Sequence, residues 1–250
     1  MTIDLSNPQD VVAEVFDPDE SVRKDFQNAV AADAVAFAEA FAPAYKIFSG
    51  FQKECEGGVQ RALVGAFMHG VLDDCLTSVK LLLSGKLGAS GNLARQAVEG
   101  ICMALLTASP QTLRFKDQEC DYWKLVVDED ERAEGNRAPY QVVANEARLG
   151  LSTGAAAQLK QNIDSHHAHS HAGRLAIALR MDLARGGKIY FGGHFDAEKL
   201  DGYHAELRQR AAICKWAVEV MLELSNMVRN LPKDASDKVT VDGHNSYRQR

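Results

Sequence analysis

Residues 59–84 read VQRALVGAFMHGVLDDCLTSVKLLLS, and this stretch decides the fold class. Its apolar residues recur at the spacing of one helix face and of the positions beside it: Leu63, Phe67, Val71 and Val79, then Leu72, Leu76 and Leu83. Such a stripe predicts a long helix that buries one side against other helices. Two acids, Asp73 and Asp74, interrupt the apolar pattern.

A second long helix is predicted on the N-terminal side of this stretch. Residues 17–20 read DPDE and combine a capping aspartate, a proline at the first helical position and a glutamate three residues after the cap, which is typical of a helix start. A helical stripe follows, formed by Phe26, Val30, Ala34, Phe37 and Phe41. We expect Pro43 to kink or end this helix, because proline lacks the amide hydrogen.

A glycine-rich run, residues 84–91, is predicted to lead into a third helix over residues 92–108, with Ser90 as its cap. The run does not end in Gly-Lys-Ser/Thr and follows a helix rather than a strand, which favours a plain connector over a phosphate-binding loop. Further segments are predicted: a fourth helix from Ser109-Pro110 to about Glu131, a short helix over 140–149, a long helix over 152–184, a strand candidate over 188–193 and a final helix over 196–230. The acidic run over 128–131 is predicted to be solvated surface.

Composition agrees with a helical chain. The 250 residues include 35 alanines but only 18 aromatic residues and 6 prolines, a balance that favours helices over a sheet sandwich. We therefore predict an all-α protein, a single bundle of about six or seven helices. Its predicted parts are a leader over residues 1–16, the bundle over 17–231 and a polar, disordered tail over 232–250.

Charge and cysteine content limit the setting and the partners. The net charge is −6 with both signs interspersed, so composition does not predict an electropositive DNA-binding surface. No window of 18 apolar residues is free of charges or several glycines, so no membrane partner is predicted. The five cysteines form no CxxC pair, and the N-terminal residues lack a secretory pattern. We expect a cytoplasmic protein, and the amphipathic helices predict a homodimer.

Four of the eight histidines lie between His166 and His171. On a helix, His167 and His171 share one face at about 40° separation, and His166 and His169 share another. A His-x-x-x-His pair suits a divalent metal ion only if ligands such as Asp74 arrive from elsewhere. No His-Glu-x-x-His motif is present, which disfavours a zinc peptidase. Apart from this candidate metal site, no cofactor is predicted. The alternative is that some of the histidines are exposed and others are hydrogen-bonded inside the bundle.

The third helix supplies a charged pair, Arg95 and Glu99, spaced four residues apart at the border of the predicted buried face. Such a pair is either a structural ion pair or a group pointing into a cleft between helices. Serine-nucleophile and Cys-His catalysis have no local signature in the chain.

Three stretches together resemble HEPN-like bacterial helical proteins: Asp73-Asp74, residues 92–99 (NLARQAVE), and residues 165–172 (SHHAHSHA). The resemblance implies a helical bundle, often dimeric, in which arginine, acid and histidine meet in an interhelical cleft. Some relatives of this class are metal-independent ribonucleases of toxin or phage-defence systems. Their usual signature, an arginine four to six residues before a histidine, does not occur in this chain.

These features predict a stress- or defence-associated protein that acts on RNA or a nucleotide. His171 or His167 would be the general base or acid, Arg95 would stabilise the charged phosphorane, and Glu99 would orient a donor. Two alternatives stay open, a non-catalytic dimeric interaction or sensor module and a histidine-rich metal-binding bundle.

Overall fold

The computed structural model describes residues 6–115, 117–151, 154, 157, 159, 161, 177–182 and 187–233. These residues are mostly helical, which confirms the all-α prediction. Their α-helices are α1 Pro8–Val15, α2 Glu20–Glu54, α3 Val59–Leu82, α4 Leu87–Thr107, α5 Tyr122–Val127, α6 Ala138–Ala144 and α7 Leu200–Arg229. Two short antiparallel hairpins accompany them, β1 Leu113–Phe115 with β2 Gln118–Cys120, and β3 Met181–Asp182 with β4 Lys188–Ile189. Single 3-10 turns span Glu131–Ala133, Gly135–Arg137 and Ala197–Lys199.

Four long helices, α2, α3, α4 and α7, form the bundle. The helix α3 packs mainly on α4 and also contacts α2 and α7, while α2 packs mainly on α7. The helices α2 and α7 run parallel, because Phe26 contacts Tyr203 near their beginnings and Glu54 pairs with Arg229 near their ends. The helix α3 runs in the opposite direction, so its first turn lies beside the last turns of α2 and α7.

The predicted central helix is confirmed within two residues at its C-terminal end, but in its predicted stripe Leu63 and Phe67 are only partly buried and Leu76 is exposed. Its buried apolar side chains lie on one face, as an amphipathic core helix requires: Val64, Met68, Val71, Leu72, Cys75, Val79 and Leu82. By length and composition alone α3 also passes as a membrane span. Its contacts with α2, α4 and α7 give it the place of a core helix in the bundle.

The start and the proline of α2 differ from the prediction. Asp17 is not the cap, because the helix begins at Glu20 and Asp19 stands at the cap position. The Asp17 carboxylate accepts a hydrogen bond from the amide of Asp19 at 2.6 Å in the turn before the helix. Pro43 neither ends the helix nor coincides with its irregularity. The non-helical backbone angles lie at Val30 instead, and Pro43 sits on an exposed face, where the missing hydrogen bond is best tolerated.

The connector between α3 and α4 is shorter than predicted, because α4 begins at Leu87 rather than at residue 92. Ser90 is therefore inside the helix and is buried rather than acting as a cap. Gly85 in the turn has φ +72°, a left-handed conformation that favours glycine. Part of the glycine-rich run is therefore helix, and the run connects two helices. A phosphate-binding loop follows a strand, so the structure also disfavours that alternative.

The predicted fourth helix is wrong over its first half. Ser109 accepts a hydrogen bond from the amide of Gln111 at 3.2 Å, which forms a turn rather than a helix start. The hairpin of β1 and β2 follows, and the side chain of Asn145 bonds both the amide and the carbonyl of Arg114 on β1. These side-chain bonds replace the helical hydrogen bonds expected there. Only the short α5 is helical, and most of the acidic run after it is exposed as predicted.

Three other boundaries also differ. The leader contains the helix α1, capped by the side chain of Asn7. The short helix predicted over 140–149 is α6, which ends at Ala144. Most of the long helix predicted over 152–184 lies outside the described residues, and Met181–Asp182, predicted to belong to it, pairs instead as a strand with Lys188–Ile189. The final helix is confirmed, and the tail beyond residue 233 lies outside the described residues.

Candidate functional site

The predicted pair Arg95 and Glu99 forms an ion pair on α4. Arg95 Nε lies 2.8 Å from Glu99 Oε1, and the two side chains are only 12% and 14% exposed. The helix places them there because they flank its buried face, which carries Ala94, Ala97, Val98 and Ile101. The sequence-based expectation that the pair borders the buried face agrees with this geometry.

The 3-10 turn Gly135–Arg137 covers part of this pair. The turn lies against Glu99, since a Cβ atom on Gly135 would be only 3.4 Å from Glu99 Oε2. Burial, and then the negative charge of Glu99, raise the pKa of the neighbouring Cys102 thiol well above its usual range. Cys102 is therefore a neutral thiol beside the ion pair, not a thiolate nucleophile.

His167 and His171, the predicted acid–base residues, lie outside the described residues. Their convergence with Arg95 and Glu99 stays a prediction. Three other histidines are described, and the ring of His69 lies 5.8 Å from that of Phe48. His194 stacks on Tyr190 with ring centroids 4.8 Å apart, and His204 Nδ1 lies 2.7 Å from Asp33 Oδ2 across α7 and α2.

Asp74, the third predicted metal ligand, is half-buried on α3. Burial, and then the nearby charge of Asp73, raise its pKa to about 6. Within the part of the chain that the structure describes, no group of three or more His, Cys, Asp and Glu side chains is arranged to hold a metal ion. Because His167 and His171 are not described, the position of Asp74 does not support the hypothesis of a metal site.

A buried polar network in the core was not predicted. Arg210 on α7 is fully buried and donates from Nε to Ser78 Oγ at 2.9 Å and from Nη2 to Ser90 Oγ at 3.1 Å. Its Nη1 group donates to the carboxylate and the carbonyl of Glu206. Ser78 and Ser90 also exchange hydrogen bonds with each other's carbonyl groups, both at 2.8 Å. The network therefore joins α3, α4 and α7.

A sequence signal for this network existed, because Arg210 occupies the apolar stripe of α7 between Leu207 and Cys214. A hydrogen bond with Cys214 and then burial hold the pKa of the Cys75 thiol well above its usual range. Cys75 therefore lies beside the network as a neutral thiol. The polar groups of this network bond to one another and fix the relative positions of three helices. Because the network is buried, it is not open to a substrate.

Comparison of the chain with protein-family models, with curated proteins and with solved structures found no match. The fold and the site geometry therefore define the class of the protein only as an all-α helical bundle.

Proposed function

We propose that this protein is an HEPN-like helical bundle, cytoplasmic and associated with stress or phage defence, that acts on RNA or on a nucleotide at the α4 face. The observation that carries the proposal is the Arg95–Glu99 ion pair, with its 2.8 Å contact and little exposure. A phosphate group that reaches Arg95 meets a cation on a rigid core helix in surroundings of reduced dielectric. Electrostatic stabilisation is strongest in such surroundings.

Each residue has one role in the proposal. Arg95 stabilises the charge that develops on the phosphorane oxygens, and Glu99 fixes the guanidinium in one orientation. His171 or His167 removes the proton from the RNA 2′-hydroxyl as its oxygen bonds to phosphorus. The other histidine then protonates the departing 5′-oxygen. A cyclic phosphate and a free 5′-hydroxyl are the products of this balanced step.

The test is cleavage of a labelled single-stranded RNA by the purified full-length chain. We expect Arg95→Gln and His171→Ala each to lower the cleavage rate by about 10²-fold or more, the effect of losing a charge stabiliser or an acid–base group. Arg208→Gln, which removes an exposed arginine of α7, is the matched control and keeps the wild-type rate. RNA and nucleotides that stay intact with the wild-type chain refute the proposal, as does cleavage that survives both substitutions.

A non-catalytic dimeric module is the second candidate, favoured by an exposed apolar patch. We define the apolar patch as Val12, Val15, Phe16, Ile189 and Phe191, whose side chains are all exposed. The helix α1 lies near the segment that carries Ile189 and Phe191, since a Cβ atom on Gly192 would lie 2.7 Å from Glu14 Oε1. In a twofold dimer the apolar patches of the two subunits pack against each other and are removed from water. A sedimentation mass equal to one chain contradicts this candidate.

A further inference from the structure

A cleft lies at the end of the bundle where α2 and α7 end and α3 begins. Its volume is about 580 Å³, within the range of roughly 300–1,000 Å³ for small-molecule pockets. The charged side chains that line it are Lys53, Arg61, Arg229 and Lys233, with Glu54 and Glu56. We call this site the basic cleft.

Arg61 is the most unusual residue of the basic cleft, because it is a cation with only 3% of its surface exposed. It donates from Nη1 to the carbonyl of Glu54 at 3.1 Å and from Nη2 to the carbonyl of Leu231 at 2.6 Å. Its buried Nε has no acceptor among the described residues. A buried charge is costly unless an opposite charge compensates it, and the carbonyls of two helix ends supply only partial negative charge.

The remaining charges of the cleft do not compensate Arg61. Glu54 pairs with Arg229 at 3.1 Å, so its carboxylate is already engaged. Four cationic side chains against two carboxylates leave a local excess of two positive charges. This excess stands out in a chain whose net charge is −6. The basic cleft therefore has the charge to hold a dianion.

We propose that the basic cleft binds a small phosphate-bearing molecule, with the phosphate group held by Lys53, Arg229 and Lys233 above the fixed charge of Arg61. Arginine and lysine side chains are the usual ligands of phosphate oxygens, arginine by its fork of N–H donors and lysine as a point charge. The volume of the cleft fits a ligand of nucleotide size rather than the extended backbone of an RNA.

This site is separate from the Arg95–Glu99 pair. Gln60, the neighbour of Arg61, donates to the carbonyl of Thr107 at 2.8 Å, so the basic cleft is level with the end of α4. Arg95 lies twelve residues earlier on that helix, or about 18 Å along its axis. The inference therefore does not rest on the proposed activity at Arg95.

A competing explanation is that these cationic side chains stabilise the C-terminal ends of α2 and α7 and bind no ligand. Lys53 and Arg229 stand in the last turns of α2 and α7, where positive charge stabilises a helix without any ligand. The two explanations differ in one measurable respect, because only a ligand site produces saturable binding of phosphate compounds.

The test is titration calorimetry of the full chain with pyrophosphate and with ADP at low ionic strength. We expect saturable binding of one equivalent that weakens as salt is added. The double variant Lys53→Gln/Arg229→Gln should bind at least tenfold more weakly, while the charge-matched double variant Lys24→Gln/Arg208→Gln, at exposed positions, should bind as the wild type does. Arg95→Gln should also leave this binding unchanged, whatever it does to RNA cleavage.

Three results overturn the proposal. These are an absence of binding by pyrophosphate and ADP, binding that the cleft double variant retains in full, and binding of an oligoribonucleotide without binding of either small anion. Both substituted cleft positions are outside the buried core, and a thermal melt of the double variant verifies that the fold is intact.

Discussion

At the scale of single residues, one glycine fixes how the loop before α7 meets the turn between α3 and α4. A Cβ atom on Gly193 would lie 1.7 Å from the carbonyl oxygen of Ser84, a backbone atom that cannot move aside alone. We expect Gly193→Ala to destabilise the protein by about 2–3 kcal/mol, as overpacking does. Gly202→Ala in α7 meets no atom within 4 Å and should be neutral or stabilising by up to ~1 kcal/mol. Urea unfolding of both variants measures the difference, and equal stabilities contradict the close approach.

Asp74 makes stability depend on pH. Its pKa in the folded protein is raised from its ordinary value of 3.8 to about 6, by burial and then by Asp73. The folded state therefore disfavours the ionised carboxylate. The contribution of protonated Asp74 to the free energy of unfolding is fully present below pH 3.8 and is lost as the pH rises through about 6. At pH 7.5 Asp74→Asn should stabilise the fold by about 1 kcal/mol, a value reduced for solvent screening at this half-exposed site. The gain should vanish below pH 4.

Asp73→Asn is the graded control for this pH dependence, because it removes only the second cause of the shift in the pKa of Asp74. A smaller gain is expected, with a midpoint at lower pH than in the wild type. Unfolding curves of the wild type and both variants from pH 3.5 to pH 8 provide the measurement. A gain for Asp74→Asn that is the same at every pH would show that the substitution acts through packing rather than through charge.

At the scale of the elements, the network around Arg210 locks the register of three helices. Arg210→Met keeps most of the side-chain volume but removes the donors to Ser78, Ser90 and Glu206. We expect a loss of about 2–3 kcal/mol, within the usual range for hydrogen bonds to a charged group. Arg208→Met, on the exposed face of the same helix, should stay within ~0.5 kcal/mol of the wild type.

A coupling measurement separates this network from simple packing. Combining Arg210→Met with Glu206→Gln should cost less than the two separate losses added together, because the second substitution removes a carboxylate that has already lost its partner. Additive losses in urea unfolding contradict the network. The thermal midpoint of each variant verifies the order of stabilities.

The elements that the sequence predicts well are the long amphipathic ones. The stripe over residues 59–84 locates α3 because burial of one face determines both its period and its length. Ser109-Pro110 misleads, since a serine followed by proline suits a turn as well as a helix start. The hairpin after it depends on Asn145, which lies 31 residues after Arg114, and no local pattern contains that contact. The register of the bundle likewise depends on side chains that meet only after folding.

At the scale of the whole molecule, the sequence predicts the candidate site only in part. The four-residue spacing of Arg95 and Glu99 is sufficient to place them on one helix face, and the structure joins them in an ion pair. The basic cleft combines Lys53, Arg61 and Arg229 from three helices, a combination that only tertiary packing produces. The one sequence signal was Arg61 itself, an arginine on the apolar stripe of α3.

The apolar patch leads to the prediction that belongs to the whole molecule. The helix α1 has eight residues and none of them is buried, whereas isolated helices of this length are marginal in water. A second copy that covers Val15 and Phe16, which are 70% and 81% exposed, supplies the missing burial. We expect the protein to sediment as twice 27.3 kDa and Phe16→Asp to return it to one chain, because a charge in an apolar interface costs several kcal/mol. Val35→Asp, at an equally apolar exposed position on α2, should leave the dimer intact, and dissociation by both variants would place the interface elsewhere.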